Sequence, residues 1–194
     1  TDASDSCEKG DLNWISNSTT DHDTDGCQDS NEDTDDDNDT VYDANDLCPT
    51  GALNWTSNAT SDSDGDGCRD FDEDFDTDND GIQDLYDSCL NGVSWWGSNS
   101  TSDYDTDGCQ DSSEDSDDDN DALNDTLDDC AKGDLNWLSN STTDYDTDGC
   151  QDSNEDLDDD NDSVTDLNDI CAKGTLNWLS NSTTDHDTDG CQDS

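Results

Sequence analysis

Carboxylates spaced two residues apart and followed by glycine open a twelve-residue segment, Asp21-His-Asp-Thr-Asp-Gly26-Cys-Gln-Asp-Ser-Asn-Glu32. The segment fits the calcium-loop pattern D-x-[DN]-x-[DN]-G-x5-E at every defined position. Calcium takes several oxygen ligands, from carboxylates at positions 1, 3 and 5, a carbonyl at 7, a direct or water-bridged group at 9 and a bidentate carboxylate at 12. The predicted ligands are Asp21, Asp23, Asp25, Cys27 (carbonyl), Asp29 and Glu32.

The same loop returns at a fixed interval of 41 residues, which an accidental match in an acidic chain would not do. Complete copies span 62–73, 103–114 and 144–155, and a fifth begins at Asp185 and is cut off after Ser194. Their predicted ligands are Asp62, Asp64, Asp66, Cys68, Asp70, Glu73, Asp103, Asp105, Asp107, Cys109, Asp111, Glu114, Asp144, Asp146, Asp148, Cys150, Asp152, Glu155, Asp185, Asp187, Asp189, Cys191 and Asp193.

A second carboxylate series follows each of the four complete loops, with aspartate in place of glutamate at position 12. Glycine at position 6 survives only as Gly81; Thr40, Ala122 and Ser163 replace it, although such residues disfavour positive φ. A solvated acidic face is the alternative, but recurrence in phase favours calcium. The predicted ligands are Asp35, Asp37, Asp39, Val41, Asp43, Asp46, Asp76, Asp78, Asp80, Ile82, Asp84, Asp87, Asp117, Asp119, Asp121, Leu123, Asp125, Asp128, Asp158, Asp160, Asp162, Val164, Asp166 and Asp169.

The charge balance supports a requirement for cations. The chain has 58 acidic and 4 basic residues, a net charge of −54, and a hydrophobic fraction of 25% that includes ten cysteines. Such a composition ordinarily gives disorder, which the cysteines and the carboxylate spacing counteract. One divalent ion in each of eight whole loops adds 16 positive charges and leaves −38, so we expect calcium as the cofactor, about two or more ions per repeat. Nucleic acid is excluded as a partner because no basic patch exists, and no apolar run reaches the roughly 18 residues of a membrane span.

The cysteines define the repeat. They lie at 7, 27, 48, 68, 89, 109, 130, 150, 171 and 191, with separations alternating between 20 and 21. Such a period indicates an array of stacked units. We divide the chain into the end of a preceding repeat (1–6), repeats at 7–47, 48–88, 89–129 and 130–170, and a truncated repeat at 171–194. Neither helical nor strand periodicity is present, which predicts a mostly irregular, coil fold: a linear array wrapped around calcium ions and stapled by disulfides.

Regular cysteine usage indicates an oxidising, extracellular setting. We favour closing the tryptophan-containing half of each unit because it lacks metal ligands; a loop of about 20 residues gives on the order of 3 kcal/mol. The other alternation pairs Cys27 with Cys48 and leaves Cys7 and Cys191 to outside partners. A zinc–thiolate site is disfavoured because no C-x2-C pair exists. The favoured pairs are Cys7–Cys27, Cys48–Cys68, Cys89–Cys109, Cys130–Cys150 and Cys171–Cys191.

The segment Asp76-Thr-Asp-Asn-Asp-Gly-Ile-Gln-Asp-Leu-Tyr-Asp-Ser-Cys89 resembles the thrombospondin type 3 repeat, D-x-D-x-D-G-x-x-D-x-x-D-x-C, and Cys48-Pro49 keeps that family's Cys-Pro. The resemblance implies a chain wrapped around a row of calcium ions, with little regular secondary structure and with disulfides between units. It covers the acidic half of every unit and not the tryptophan-containing half. The loop spacing also resembles the EF-hand, but amphipathic flanking helices are absent.

Each tryptophan-containing half also carries a glycosylation sequon and a recurring tryptophan. The sequons predict N-glycans, with turn chemistry as the alternative. Trp14 and its equivalents either pack over a disulfide or the next unit, or form a platform for a sugar ring. The sequon asparagines are Asn17, Asn58, Asn99, Asn140 and Asn181.

These features favour a structural, extracellular, calcium-stabilised glycoprotein that associates with itself into a surface fibre or stalk. A calcium-dependent adhesion module that binds a carbohydrate or a protein is the alternative. A fibre should form long uniform threads by itself, whereas an adhesin should be a monomeric rod that binds something. We do not expect an enzyme, because the only histidines, His22 and His186, occupy a variable loop position and no nucleophile–base arrangement is visible.

Overall fold

The computed structural model describes residues 5–193. Within that range the backbone consists of turns, bends and connecting coil, with no α-helix or β-strand. The expected fold class, mostly irregular structure stapled by disulfides, is therefore confirmed. The physical reason is that aspartate, asparagine and serine offer the backbone local side-chain hydrogen bonds that compete with helix and sheet.

The chain forms two compact units. The first runs to Ser98 and also includes Asp107–Cys109, and the second comprises Asn99–Thr106 together with the chain from Gln110 onward. The division into 41-residue repeats stays a prediction, although equivalent hydrogen bonds recur at that interval inside each unit.

All ten cysteines are paired. The bonds are Cys7–Cys27, Cys48–Cys68, Cys89–Cys109, Cys130–Cys150 and Cys171–Cys191, with Cα–Cα distances of 5.1–5.2 Å. This is the alternation that the sequence favours, and it closes each tryptophan-containing half. Each bond lies within one repeat, so the disulfides between units that the thrombospondin resemblance implies are not formed. The tryptophan-containing half lies outside the resemblance, and the disulfide at its two ends closes it into a loop within one repeat.

The interior contains carboxylates where most proteins have apolar side chains. Among residues 5–193, the buried apolar positions are Cys27, Cys68, Cys109 and Cys150, whereas eighteen aspartates and Thr77 are buried. Large apolar side chains lie outside, with Leu12 84% and Phe71 88% exposed. Apolar burial therefore cannot account for the order of this fold.

Aspartate side chains order the coil by accepting backbone N–H groups two residues ahead. The Cys27 N–H donates to Asp25 Oδ1 over 2.8 Å, and the Val41 N–H donates to Asp39 Oδ1 over 2.6 Å. These Asx turns satisfy backbone donors that a helix or strand would otherwise pair. The carboxylates thus fix the local backbone as well as offering oxygens to a cation.

The second series keeps the loop conformation without its glycine. Gly81 has φ 98°, and Thr40, Ala122 and Ser163 reach φ 87°, 79° and 79°. The left-handed conformation costs a non-glycine residue on the order of 1–2 kcal/mol. A hydrogen bond from the same residue's N–H to the first aspartate of its loop offsets this, for instance Ala122 N to Asp117 Oδ2 at 3.0 Å.

Successive repeats of the first unit are joined by hydrogen bonds to aspartate side chains and to a backbone carbonyl. Gly51 N–H donates to Asp37 Oδ2 over 2.9 Å, and Leu47 N–H donates to the Asp66 carbonyl over 2.8 Å. Gly67, with φ 89°, packs so closely against Asp46 that a Cβ at this position would collide with Asp46 Oδ1. Glycine is required here for both conformation and space.

Two glycines separated by one residue give a matched test of the contact between Gly67 and Asp46. Gly65 and Gly67 both have positive φ, but a Cβ on Gly65 would meet nothing within 4 Å. Alanine at either site strains the backbone by about 1 kcal/mol. We expect Gly67→Ala to displace Asp46 as well, and therefore to raise the calcium concentration needed for half-maximal folding several-fold more than Gly65→Ala does, as measured by circular dichroism. Equal effects would contradict the described packing.

Candidate metal centre

The carboxylates at positions 1, 3 and 5 of the predicted calcium loops converge. Three such groups have ligand atoms that all lie within 4.8 Å of one another: Asp21, Asp23 and Asp25; Asp35, Asp37 and Asp39; and Asp62, Asp64 and Asp66. Both series are represented, the Gly-Cys loop by the first and third groups and the second series by the middle one. The structure thus brings together oxygens that the spacing selected, in an arrangement that could hold a metal ion.

Enclosed carboxylate oxygens provide a test of whether these residues fit a cation. Within residues 5–193, one oxygen of many of these side chains is buried and receives no hydrogen bond, and a buried acceptor without a donor is unfavourable. Four basic residues cannot neutralise them, whereas calcium takes six to eight such oxygens. The oxygens belong to Asp21, Glu32, Asp33, Asp36, Asp39, Asp46, Glu73, Asp74, Asp76, Asp87, Asp118, Asp121, Asp128, Asp146, Asp156, Asp159, Asp160, Asp162 and Asp169.

The raised pKa values of the carboxylates also indicate a site that fits a cation. Desolvation, followed by repulsion from Asp43, Asp29 and Asp33, raises the pKa of Asp36 from 3.8 to about 7. Desolvation and neighbouring carboxylates likewise raise the pKa of Asp46 to about 7 and that of Asp39 to about 6, against hydrogen bonds that lower both. A bound cation would reverse these shifts by favouring the charged form.

The aspartates at position 9 stabilise their own loops. Asp29 Oδ1 accepts the His22 N–H over 3.1 Å, and in the second series Asp43 Oδ1 accepts the Asp36 N–H over 2.9 Å. In each case the carboxylate reaches back seven residues and uses one oxygen. Direct or water-bridged ligation by position 9 stays a prediction for the second oxygen.

The carboxylates at position 12 also contact backbone outside their loops. Glu32 Oε1 accepts the Asp11 N–H from the tryptophan-containing half, while Glu32 Oε2 is enclosed without a donor. Asp46 Oδ1 accepts the Cys48 N–H over 2.6 Å, and its Oδ2 is likewise enclosed. Each therefore keeps one oxygen for a cation, and bidentate closure stays a prediction, as does ligation by the position-7 carbonyls.

An asparagine that the carboxylate spacing did not reveal links the two predicted loops of a repeat. Asn38 Nδ2 donates to Asp23 Oδ2, and Asn161 Nδ2 donates to Asp146 and, over 3.0 Å, to Asp148. The asparagine holds the position-3 carboxylate of the preceding loop. The available signal was its presence at position 4 of all four second-series loops, as Asn38, Asn79, Asn120 and Asn161.

The variable position 2 of the Gly-Cys loop has a role that the sequence did not reveal. Tyr104 and Tyr145 donate through their hydroxyls to the carbonyls of Gly133 and Gly174, over 2.9 and 2.8 Å. His22 Nε2 lies 3.0 Å from the equivalent carbonyl of Gly51. Each of these side chains bridges to the following repeat, 29 residues ahead, so the two residue types share one structural function.

The sequon asparagines are exposed and form Asx turns. Asn17 Nδ2 donates to the Ile15 carbonyl and to Thr20 Oγ1, both over 2.9 Å, and its Oδ1 accepts the Thr19 N–H over 3.1 Å. A glycan on Nδ2 replaces one N–H, so one of the two donated hydrogen bonds would be lost. The turn is present in the structure, and glycosylation stays a prediction.

The recurring tryptophans are half-buried, whereas the extra Trp95 is 59% exposed. Trp14 Nε1 donates to the Asp11 carbonyl over 3.0 Å, and the Arg69 guanidinium lies 5.9 Å from the centre of the Trp55 ring. Their partial burial against their own repeat fits packing and leaves the sugar-platform alternative open.

No protein-family model matches this chain, and a comparison with curated proteins finds no match. In the part of the chain that the structure describes, no helix is long and apolar enough to cross a membrane. The residues themselves must therefore carry any functional conclusion.

The raised carboxylate pKa values predict how the metal-free chain responds to pH. In EGTA, the folded state holds protons up to about pH 7 on Asp36 and Asp46, which release them near pH 3.8 when unfolded. The free energy of unfolding should therefore fall as pH rises through this window. We expect more tryptophan near-UV circular dichroism in EGTA at pH 4.5 than at pH 7.5.

The matched control is the same titration in saturating calcium. There the carboxylates remain charged ligands, so order should persist at pH 7.5 and decline only on acidification, when protons displace the metal. An EGTA-treated chain that is more ordered at pH 7.5 than at pH 4.5 would be incompatible with carboxylate repulsion as its main destabilising force.

Proposed function

We propose that this chain is part of an extracellular, calcium-stabilised, glycosylated repeat protein that serves as a structural fibre or stalk. The observation that carries the proposal is the burial of eighteen aspartates within residues 5–193, where the buried apolar side chains are those of four cysteines. A fold built this way requires cations for its order. Calcium is the best candidate because the donors are oxygens in twelve-residue loop spacing.

Calcium would act here as a cross-link. Each ion would join carboxylates that are otherwise repelled from one another, and the carboxylates already fix the coil through Asx turns. Repeated along the chain, this converts an acidic coil into an ordered one without an apolar core. The resemblance to thrombospondin type 3 repeats, on the acidic half of each unit, supports this proposal.

The disulfides support an extracellular location. Five disulfides in one chain persist under oxidising conditions. Calcium is plentiful in many such settings, where sites with dissociation constants of about 10⁻⁴–10⁻³ M are useful. We propose no enzymatic activity, since His22 already contacts a backbone carbonyl in a structural position.

The adhesion alternative is favoured by one feature of the first repeat. Trp14 and Leu12 line a concavity together with Asp21 and Glu32, and Ile15 nearby is 80% exposed. An aromatic ring beside calcium-ligating carboxylates is a chemically reasonable place for a sugar. Self-assembly in the absence of any added ligand would favour the fibre over this alternative.

The first test of the proposed function is metal removal. We expect native material to consist of uniform threads by electron microscopy, to contain at least eight calcium ions per 194 residues by elemental analysis, and to lose its threads and its protease resistance in EGTA. Readdition of calcium should restore order, and magnesium should do so less well because it demands a rigid octahedral site. Unchanged threads after complete calcium removal would refute the proposal.

The second test separates glycosylation from turn chemistry. Thr19→Ala removes the first sequon but keeps every hydrogen bond described for the Asn17 turn, since Thr19 contributes only its N–H. We expect glycopeptide analysis to show occupied Asn17 in the natural sequence and bare Asn17 in the variant. Ser18→Ala, which preserves the sequon, is the matched control. Bare asparagine in native material would leave turn formation as the role of this segment.

A further inference from the structure

A third group of carboxylates lies beside the two calcium loops of the first repeat. Ligand atoms of Asp29, Asp33 and Asp36 all lie within 4.8 Å of one another. We call this group the third acidic position. Asp33 and Asp36 belong to neither predicted ligand set, and Asp29 uses one oxygen to accept the His22 N–H. By itself such a group is only a concentration of negative charge.

The equivalent carboxylates of two later repeats bind a cation that the protein supplies. Lys132 Nζ contacts Asp111 Oδ2 and lies 3.3 Å from Asp118 Oδ2. Lys173 Nζ contacts Asp152 Oδ2 and lies 3.4 Å from Asp159 Oδ2. Asp111 and Asp152 correspond to Asp29, and Asp118 and Asp159 to Asp36, at multiples of 41 residues. Each lysine stands two residues after the first cysteine of the following repeat.

These lysine sites are built into the fold. Asp118 and Asp159 are only 7% and 6% exposed, which distinguishes them from ordinary surface ion pairs. Lys132 Nζ also lies 5.9 Å from the centre of the Tyr104 ring, and the Tyr104 hydroxyl is held by Gly133. Both complete copies of this acidic position in the second unit therefore contain a lysine charge.

The first repeat keeps the carboxylates but lacks the lysine. Position 50, which corresponds to Lys132, is threonine, whereas Asp29 and Asp36 are both retained. Asp36 Oδ1 is enclosed without a donor, and within residues 5–193 Asp36 forms no ion pair. In the third and fourth repeats a lysine ammonium occupies this position. The first repeat has no lysine there to supply the positive charge.

The second repeat shows the complementary change. Thr77, only 2% exposed, replaces the carboxylate that corresponds to Asp36, and Asn91 replaces the lysine. Loss of the lysine is accompanied there by loss of an acidic partner. The first repeat alone combines all three carboxylates with a neutral residue at the lysine position, so its charge needs another source of compensation.

We infer that the third acidic position of the first repeat binds a free divalent cation through Asp29, Asp33 and Asp36, at the place where the third and fourth repeats use a lysine ammonium. The inference rests on the proposed calcium function but concerns an ion additional to the one predicted in each loop.

Exchange of the lysine between repeats tests the inference. We expect Thr50→Lys in the full chain to bind one calcium ion fewer than the natural sequence, by native mass spectrometry in excess calcium, with its near-UV circular dichroism unchanged. Conversely, Lys132→Thr should bind one ion more. Asn91→Lys is the matched control, because it adds the same lysine opposite Thr77 and should leave the ion count unchanged.

The outcomes separate this inference from the general proposal. An unchanged count in a folded Thr50→Lys variant would overturn the inference while the loop ions remain, and absence of calcium from the natural sequence would overturn both. If Lys132→Thr fails to fold, Thr50→Lys still decides.

Discussion

Burial of negative charge is the constraint on which this structure depends. Eighteen aspartates are buried in a chain with four basic residues, and burial raises the pKa of many of these carboxylates. Apolar contacts cannot offset that repulsion, because most large apolar side chains lie at the surface. Its clustered carboxylates could hold cations, and under the function proposed above the order of the fold would depend on metal binding.

The two halves of each repeat are ordered without an apolar core by different interactions. The tryptophan-containing half has no ligand series, and a disulfide closes it, which limits the entropy of its unfolded state. The acidic half has no covalent cross-link of its own, and its carboxylates bind backbone N–H groups and leave oxygens for metal. Glu32 connects the two halves of the first repeat by accepting a hydrogen bond from the Asp11 N–H.

Variation between repeats is informative because the backbone hardly changes. Position 2 of the Gly-Cys loop is tyrosine where a lysine follows in the next repeat, and histidine or serine where none does in the complete examples. Such correlated changes indicate that charge is balanced locally, between a repeat and the one that follows it. In arrays whose repeats contact mainly their neighbours, such coupling between adjacent repeats is expected.

The sequence by itself determined the repeat, the carboxylates that converge and the absence of helix and strand, because each depends on spacing or composition along the chain. The disulfide alternation was a preference that spacing of 20 against 21 could not decide, and the thrombospondin resemblance favoured links between units that the structure does not contain. Only the tertiary structure showed that Asn38 holds Asp23, that Tyr104 and His22 reach the next repeat, and that Thr40 and Ala122 adopt positive φ. The side-chain contacts among these features join groups 15 to 29 residues apart, and the local sequence pattern does not contain that information. The third acidic position likewise became visible only when folding placed Lys132 between Asp111 and Asp118, because the three residues are separated in sequence and are joined by charge alone.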